Sequence, residues 1–241
     1  MKRVSPLLFR FLLLSFGTLL PQGPARAEAR ARPQITVRIQ NRVHISPESL
    51  TKVQKVAFDI LHHAGIEVHW LDCGFSGPSP QDPPECWQAL GPTDFVLALI
   101  EKIQTVAPRL PERTLGFALV PPDGQQGFYA YVSYDHAREV SRQNGAAVEK
   151  ILGLGAAHEL GHLLLGESAH STIGIMKVAF CDRDLRSALN WNLLFTPRQS
   201  KYMRANLARR HTSVHEAPCT QEEKLISACV ALNDATRIAG L

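Results

Sequence analysis

The stretch Ala156-Ala157-His158-Glu159-Leu160-Gly161-His162-Leu163-Leu164-Leu165 decides the fold of this chain. Residues four apart on an α-helix lie on one face, so His158 and His162 project together and can bind one metal ion. Neutral imidazole nitrogen is a preferred ligand of Zn²⁺. Glu159 is offset from both histidines, so it can stay outside the ligand shell and reach a water molecule at the metal as a general base. The stretch therefore predicts a metal-binding helix.

The flanking residues predict that this helix is buried inside a domain. The run from 146 to 157 is apolar on most sides, and its polar centre and short length exclude a membrane span. Gly161 lowers helix stability between the histidines, which indicates close packing at that point. Gly166 predicts the helix end, because the left-handed position just past a helix is usually glycine. The competing interpretation is a core helix with two incidental histidines.

A third metal ligand is expected downstream of this helix. Zinc hydrolases usually hold the ion with three protein groups and leave the fourth position to water. A turn at Gly166 would bring His170 back over the metal, and Gly174-Ile175-Met176 follows shortly after. Glu167 or Asp182 could instead supply an oxygen ligand.

The order of His, Glu, His, Gly, His and Met between 158 and 176 resembles the metzincins, zinc peptidases with the pattern HExxHxxGxxH and a Met-turn. The resemblance implies zinc ligands at His158, His162 and His170, a general base at Glu159, and an apolar floor at Met176. Each of the two spacings around Gly166 is four residues, where the family pattern has three. The resemblance therefore implies a helix one residue longer and a turn one residue wider.

The activity implied by this resemblance is zinc-dependent hydrolysis of peptide bonds, with a peptide or protein as the partner. One alternative is a zinc hydrolase with a carboxylate as third ligand, or one that acts on a non-peptide amide. Another is an exported, non-enzymatic binding protein in which zinc stabilises the fold. A structural zinc site is normally closed by four protein ligands and has no need of a base beside it, so Glu159 favours chemistry.

The N-terminus predicts export. Residues 1–27 have a basic start, an apolar stretch and an Ala25-Arg26-Ala27 cleavage site, as in a secretory signal peptide. We expect a secreted or periplasmic protein without stable membrane insertion. The four basic residues of this segment account for the whole net charge of +4, since 22 basic and 22 acidic residues remain after its removal. No basic footprint for nucleic acid is left.

All five cysteines follow the predicted cleavage site, and an exported protein can pair them as disulfides. The odd number leaves at least one without an internal partner. The preferred pairs are Cys73–Cys86, across a loop rich in Pro and Gly, and Cys219–Cys229.

The remaining chain predicts an α+β catalytic domain over 28–209, with a helical extension over 210–241. By the metzincin resemblance, a twisted mixed sheet packs on a backing helix and an active-site helix, with a smaller helical C-terminal subdomain. Strands are expected at 35–39, 66–71, 94–100, 114–120 and 127–134. A backing helix is expected from Ser46-Pro47 to Gly65, and a later helix from the capping box Thr196–Gln199 to about Arg209.

Substrate binding is expected at an exposed strand edge near the cleft, by strand addition. The strand at 127–134 is one candidate for that edge. Tyr134 and Tyr202 are candidates to assist the oxyanion. Tyr202 and Leu207 are also expected among the buried residues of the later helix, and a second capping box at 220–223 predicts another helix beyond it.

Overall fold

The computed structural model describes residues 32–74, 80–121, 126–166, 170–180, 184–185 and 193–210. The predicted signal peptide and the extension beyond residue 210 lie outside this part of the chain. So do Glu167, Asp182 and the proposed Cys219–Cys229 pair.

Five strands form one mixed sheet in the order β2-β1-β3-β5-β4. Their bounds are β1 Gln34–Asn41, β2 Glu67–Cys73, β3 Asp94–Ile100, β4 Gly116–Ala118 and β5 Tyr129–Ser133. Strands β2, β1, β3 and β5 run parallel to one another, and β4 pairs antiparallel with β5. All five predicted strands are present. β5 lies between β3 and β4, so the prediction of 127–134 as the exposed edge is wrong; β4 takes that position.

The backing helix is α1, Pro47–His63. The Ser46 side chain accepts a hydrogen bond from the Ser49 backbone N–H, and Pro47 occupies the first turn, as the sequence predicts. Gly65, with φ of 78°, follows the helix end. The predicted apolar stripe is buried in the core: Leu50, Val53, Ala57, Ile60, Leu61 and Ala64.

A helix that sequence analysis did not predict, α2 (Tyr134–Asn144), follows β5 directly. The Ser133 side chain caps its first turn, and Gly145, with φ of 68°, ends it. Only Ala137 of this helix is fully buried. The apolar periodicity that reveals α1 is therefore missing from α2, although both of its end signals are present in the sequence.

The active-site helix is α3, Val148–Leu165, and it packs on α1 and on the sheet. A Cβ at Gly153 would lie 2.5 Å from the Val56 Cβ and 2.8 Å from the Val53 carbonyl oxygen. The absence of a side chain at Gly153 thus permits the close approach of the two helices. Gly166, with φ of 71°, ends α3 as predicted.

The opposite face of the sheet is covered by the segment between β3 and β4. Ile103 and Ala107 of this segment, together with Leu119 just after β4, pack there against Ala98 and Tyr131. β3 is therefore buried on both faces, as its continuous apolar run indicates.

The disulfide Cys73–Cys86 is present, with an S–S distance of 1.97 Å and a Cα–Cα distance of 5.6 Å. It joins the end of β2 to a short 3₁₀ turn, Pro84–Trp87. The buried Arg38 guanidinium donates to the Gln88 carbonyl at 2.6 Å and pairs with Asp94 at 2.9 Å. The covalent link and this ion pair together fix the loop against the sheet edge.

The last described helix is α4, Pro197–Arg210. Its predicted capping box is confirmed, because Gln199 N–H donates to Thr196 Oγ1 at 3.2 Å and Thr196 N–H donates to Gln199 Oε1 at 2.9 Å. Leu207 is buried, but Tyr202 is 47% exposed, so the prediction that Tyr202 is buried is wrong. None of the helices in the described ranges is long and apolar enough to cross a membrane.

Candidate metal centre and cleft

The centre of α3 holds polar side chains in a helix without a solvent face. Every residue from Ile151 to Leu165 is buried, and His158, Glu159 and His162 are the ionisable residues among them. Their exposed fractions are 8%, 6% and 6%. Burial of such groups is costly without a partner or a ligand, so their surroundings indicate their role.

The three histidines predicted as ligands lie together. His158 Nε2 and His162 Nε2 are 3.1 Å apart, and the His170 ring centroid is 5.4 Å from that of His158 and 4.8 Å from that of His162. One ligand nitrogen from each ring can be chosen so that all three lie within 4.8 Å of one another. The three side chains therefore form a single cluster that spans α3 and the segment after it.

The hydrogen bond of His158 leaves Nε2 available for a ligand. His158 Nδ1 lies 2.7 Å from the Ile175 carbonyl oxygen, which can only accept, so Nδ1 is the protonated nitrogen. Burial lowers the pKa of His158 to about 4, against the opposing effect of this hydrogen bond. Burial also lowers the pKa of His170. Neutral imidazoles oriented by a backbone carbonyl are the form in which histidine binds metal ions.

A tight turn between 170 and 176 explains how His170 and Met176 reach α3. Ser171 N–H donates to the Met176 carbonyl at 2.7 Å. Gly174 has φ of 73°, and a Cβ at this position would clash with the Leu194 carbonyl oxygen. Met176 is fully buried against α3. A Cβ at Gly161 would lie 2.7 Å from Met176 Sδ and 2.7 Å from the Phe195 ring. The close packing predicted at Gly161 is confirmed.

The donor set fits a divalent transition metal such as Zn²⁺. Two nitrogens bound to one zinc ion lie at most about 4.2 Å apart, because each Zn–N distance is about 2.1 Å. The widest separation in the cluster, 4.8 Å, requires a shift of the order of 1 Å. The exposed position of His170 leaves room for such a shift. Three imidazoles, one of them oriented by a carbonyl, match the ligand chemistry of zinc.

Glu159 lies beside the cluster and against the edge strand. A Cβ at Gly116 of β4 would be 2.7 Å from both Cγ and Oε1 of Glu159. The carboxyl group makes no hydrogen bond or ion pair with any residue of the described ranges, and burial raises its pKa to about 8. A pKa in this range allows the carboxyl group to exchange a proton near neutral pH. Sequence analysis did not identify Gly116, because its closeness to Glu159 depends on the pairing of β4.

A cleft of about 660 Å³ opens over this cluster. Its walls include β4, one side of α3 between Ile151 and His162, residues 178–180 after the turn, and Leu185. Lys150 Nζ donates to the Leu185 carbonyl at 3.0 Å, which fixes that wall to α3. Neither Tyr134 nor Tyr202 is among the described residues that line the cleft, so their predicted role at the oxyanion has no geometric support.

No protein-family model matches the sequence, and no curated protein matches it. A search of solved structures finds a zinc-dependent peptidase from Methanocorpusculum labreanum (strain Z), at 15% sequence identity and a TM-score of 0.44. The match covers 71% of this chain and 99% of that protein.

Proposed function

We propose that this chain is a zinc-dependent endopeptidase of metzincin type, in which His158, His162 and His170 hold the ion and Glu159 is the general base. The observation that supports the proposal most strongly is a buried carboxyl group without a partner among the described residues, beside three clustered imidazoles in an open cleft. A structural zinc site has no need of such a carboxyl group. The cluster of described residues also stops at three ligands, as hydrolytic sites do.

The residues of the site divide the work of hydrolysis. When bound, Zn²⁺ polarises a substrate carbonyl and lowers the pKa of water towards neutrality. Glu159 accepts the proton of the attacking water and then donates it to the leaving amine nitrogen. Met176 and Phe195 pack under α3 and hold the histidine-bearing turn in place.

The edge strand supports a peptide rather than a small amide as substrate. Leu115 accepts a hydrogen bond from Ser133 N–H, and Leu119 N–H donates to the Tyr129 carbonyl. Along an antiparallel strand, the residues whose backbone groups face the partner alternate with those whose groups face away. The N–H and C=O groups of Gly116 therefore point away from β5 on the side that lines the cleft. An extended peptide can pair with these groups by strand addition and present a backbone carbonyl to the cluster.

We also propose that the mature protein begins after residue 27, with a catalytic domain to about residue 209, and acts outside the cytoplasm. The disulfide Cys73–Cys86 supports an oxidising compartment, since such bonds are rare in the cytosol.

The test of the proposed function is Glu159→Gln, measured for both zinc content and cleavage of a broad peptide library. We expect zinc content to match the wild type and the cleavage rate to fall by about 100-fold or more, because general base catalysis contributes that much. The matched control is Glu85→Gln, an exposed glutamate on the 3₁₀ turn near the disulfide, which should change neither. If Glu159→Gln cleaves peptides as fast as the wild type, Glu159 is not the general base. If the wild type binds no zinc and cleaves no peptide, the chain is not a zinc peptidase.

A further inference from the structure

We propose that the cleft selects peptides that carry a carboxylate near the scissile bond, which Arg113 and His136 bind at one end of the cleft. The carboxylate can be an Asp or Glu side chain or the C-terminus of the peptide. This inference rests on the proposed peptidase function, because it assigns the substrate class of the same cleft.

One end of the cleft lies away from the histidine cluster. It is lined by Ile151 and Gly155 of α3 and by His136 and Val140 of α2. Ile151 precedes His158 by two turns, so it lies roughly 10 Å from His158 along the helix axis. An extended peptide advances about 3.3 Å per residue. A group bound at this end therefore belongs to a residue within about three positions of the scissile bond.

The charges that line the cleft are unbalanced. Among its described lining residues, the only carboxyl group is Glu159, which is buried, whereas Arg109 and Arg113 bring two guanidinium groups. Arg109 has contacts of its own. Arg113 is exposed, and it makes no hydrogen bond or ion pair with a residue of the described ranges. Within the described ranges, no residue therefore competes with a ligand in the cleft for the Arg113 guanidinium.

His136 lies close enough to Arg113 to be affected by its charge. Burial and then the Arg113 charge lower the pKa of His136, against an opposing effect of Glu139. The ring is half-buried, and neither of its nitrogens has a hydrogen-bond partner within the described part of the chain. Within the described residues, the imidazole N–H of His136 and the guanidinium N–H groups of Arg113 therefore lie near each other without a carboxylate to accept from them. A carboxylate supplies acceptors for both, with the strength of a charge-assisted hydrogen bond.

The walls beside these two donors favour a charged ligand further. Val140, Leu115 and Leu185 line the cleft with apolar side chains. These side chains carry no hydrogen-bond acceptor, so the wall itself cannot satisfy the two donors. An apolar side chain in the same place would leave both donors without an acceptor, and a neutral amide would supply an acceptor without the charge.

The experiment measures binding and cleavage separately. A set of decapeptides carries a neutral N-terminal fluorophore and a single Glu moved along an otherwise neutral sequence, each with a Gln counterpart. Each peptide is made with a free and with an amidated C-terminus. Binding is measured by fluorescence anisotropy with the full-length Glu159→Gln protein, and cleavage with the zinc-loaded wild type. Arg113→Gln is compared, in both backgrounds, with Arg198→Gln, an exposed arginine on α4 outside the cleft.

We expect peptides with a carboxylate at the favoured position to bind about tenfold more tightly than their neutral counterparts. Arg113→Gln should abolish this difference, and Arg198→Gln should retain it. Arg113→Glu should favour peptides with Lys in place of Glu. A gain only for the Glu peptides identifies the side chain as the source of the carboxylate, and a gain only for free C-termini identifies the chain end.

Equal binding of charged and neutral peptides, no detectable binding, or equal effects of Arg113→Gln and Arg198→Gln would overturn the inference. Cleavage of all peptides alike by the wild type would then leave the peptidase proposal intact. Conversely, binding that depends on both Arg113 and the carboxylate, without any cleavage by the zinc-loaded wild type, would contradict the peptidase proposal and retain the binding site.

Discussion

Helices α1 and α3 have 17 and 18 residues and pack against each other, but their histidines lie in opposite environments. His62 and His63 end α1 near solvent, where His62 contacts Arg32 and Glu67 and His63 bonds to the Asp59 carbonyl. His158 and His162 lie in the middle of α3, which is buried on all sides. A histidine at the end of an amphipathic helix needs no function beyond solvation and the helix dipole. A histidine in a helix without a solvent face needs a partner or a ligand.

The largest expected effect is on zinc binding, and it distinguishes His170, which follows α3, from His63 at the end of α1. His170→Ala should weaken zinc binding by about 100-fold or more, because loss of a direct ligand exceeds the effect of losing a supporting residue. His63→Ala is the matched control, since His63 is also exposed. Zinc content after dialysis against a competing chelator measures both. Wild-type zinc content in His170→Ala would show that another group, such as Glu167 or Asp182, completes the site.

A second expected effect concerns the space that the edge strand leaves for Glu159. Gly116→Ala places a Cβ 2.7 Å from the Glu159 carboxyl oxygen, and the Tyr131 carbonyl at 2.8 Å blocks retreat of the strand. Displacement of a catalytic group by about 1 Å can reduce turnover by about 100-fold, so we expect that loss in kcat with zinc content unchanged. A normal kcat in this variant would show that Glu159 can act from a shifted position.

Two glycines of α3 test whether the α1 side and the metal side are independent. Gly153→Ala forces a Cβ against Val56 at the α1 interface, and Gly161→Ala forces one against Met176 and Phe195. Each should lower the free energy of unfolding by about 1–3 kcal/mol, as overpacking does. Only Gly161→Ala should also weaken zinc binding. Urea denaturation and zinc titration check both variants, and equal zinc affinities would show that packing under the histidines is unimportant for the ligands.

The smallest expected effect is the pH dependence of the chelator-treated protein. Burial raises the pKa of Glu159 from 4.5 to about 8, so its contribution to stability is complete below pH 4.5 and is lost as the pH rises through 8. Burial lowers the pKa of His158 from 6.5 to about 4, which opposes this trend only below pH 6.5. Between pH 6.5 and 8 we therefore expect the free energy of unfolding to fall by about 1.4 kcal/mol per pH unit. Urea denaturation across this range should show the slope in the wild type and a flat profile in Glu159→Gln.

Agreement between sequence and structure is best where the signal is local. The Ser46 cap, the capping box at Thr196 and the glycine end of α3 depend on hydrogen bonds within one turn of helix, and all are confirmed. The disulfide Cys73–Cys86 closes a loop of short separation, and it too is confirmed. α2 was missed because its single buried residue leaves no apolar periodicity, and Tyr202 was misplaced because α4 buries a different face.

The sequence by itself determined the helix that carries His158, Glu159 and His162, because helical periodicity alone puts the two imidazoles on one face. It also determined the strands, since apolar runs of that length are stable only when paired and buried. The tertiary structure alone decided that β4 forms the edge beside Glu159, and that Arg113 and His136 reach the same cleft. Strand order and cleft walls arise from contacts between segments far apart in the chain, which no local pattern encodes.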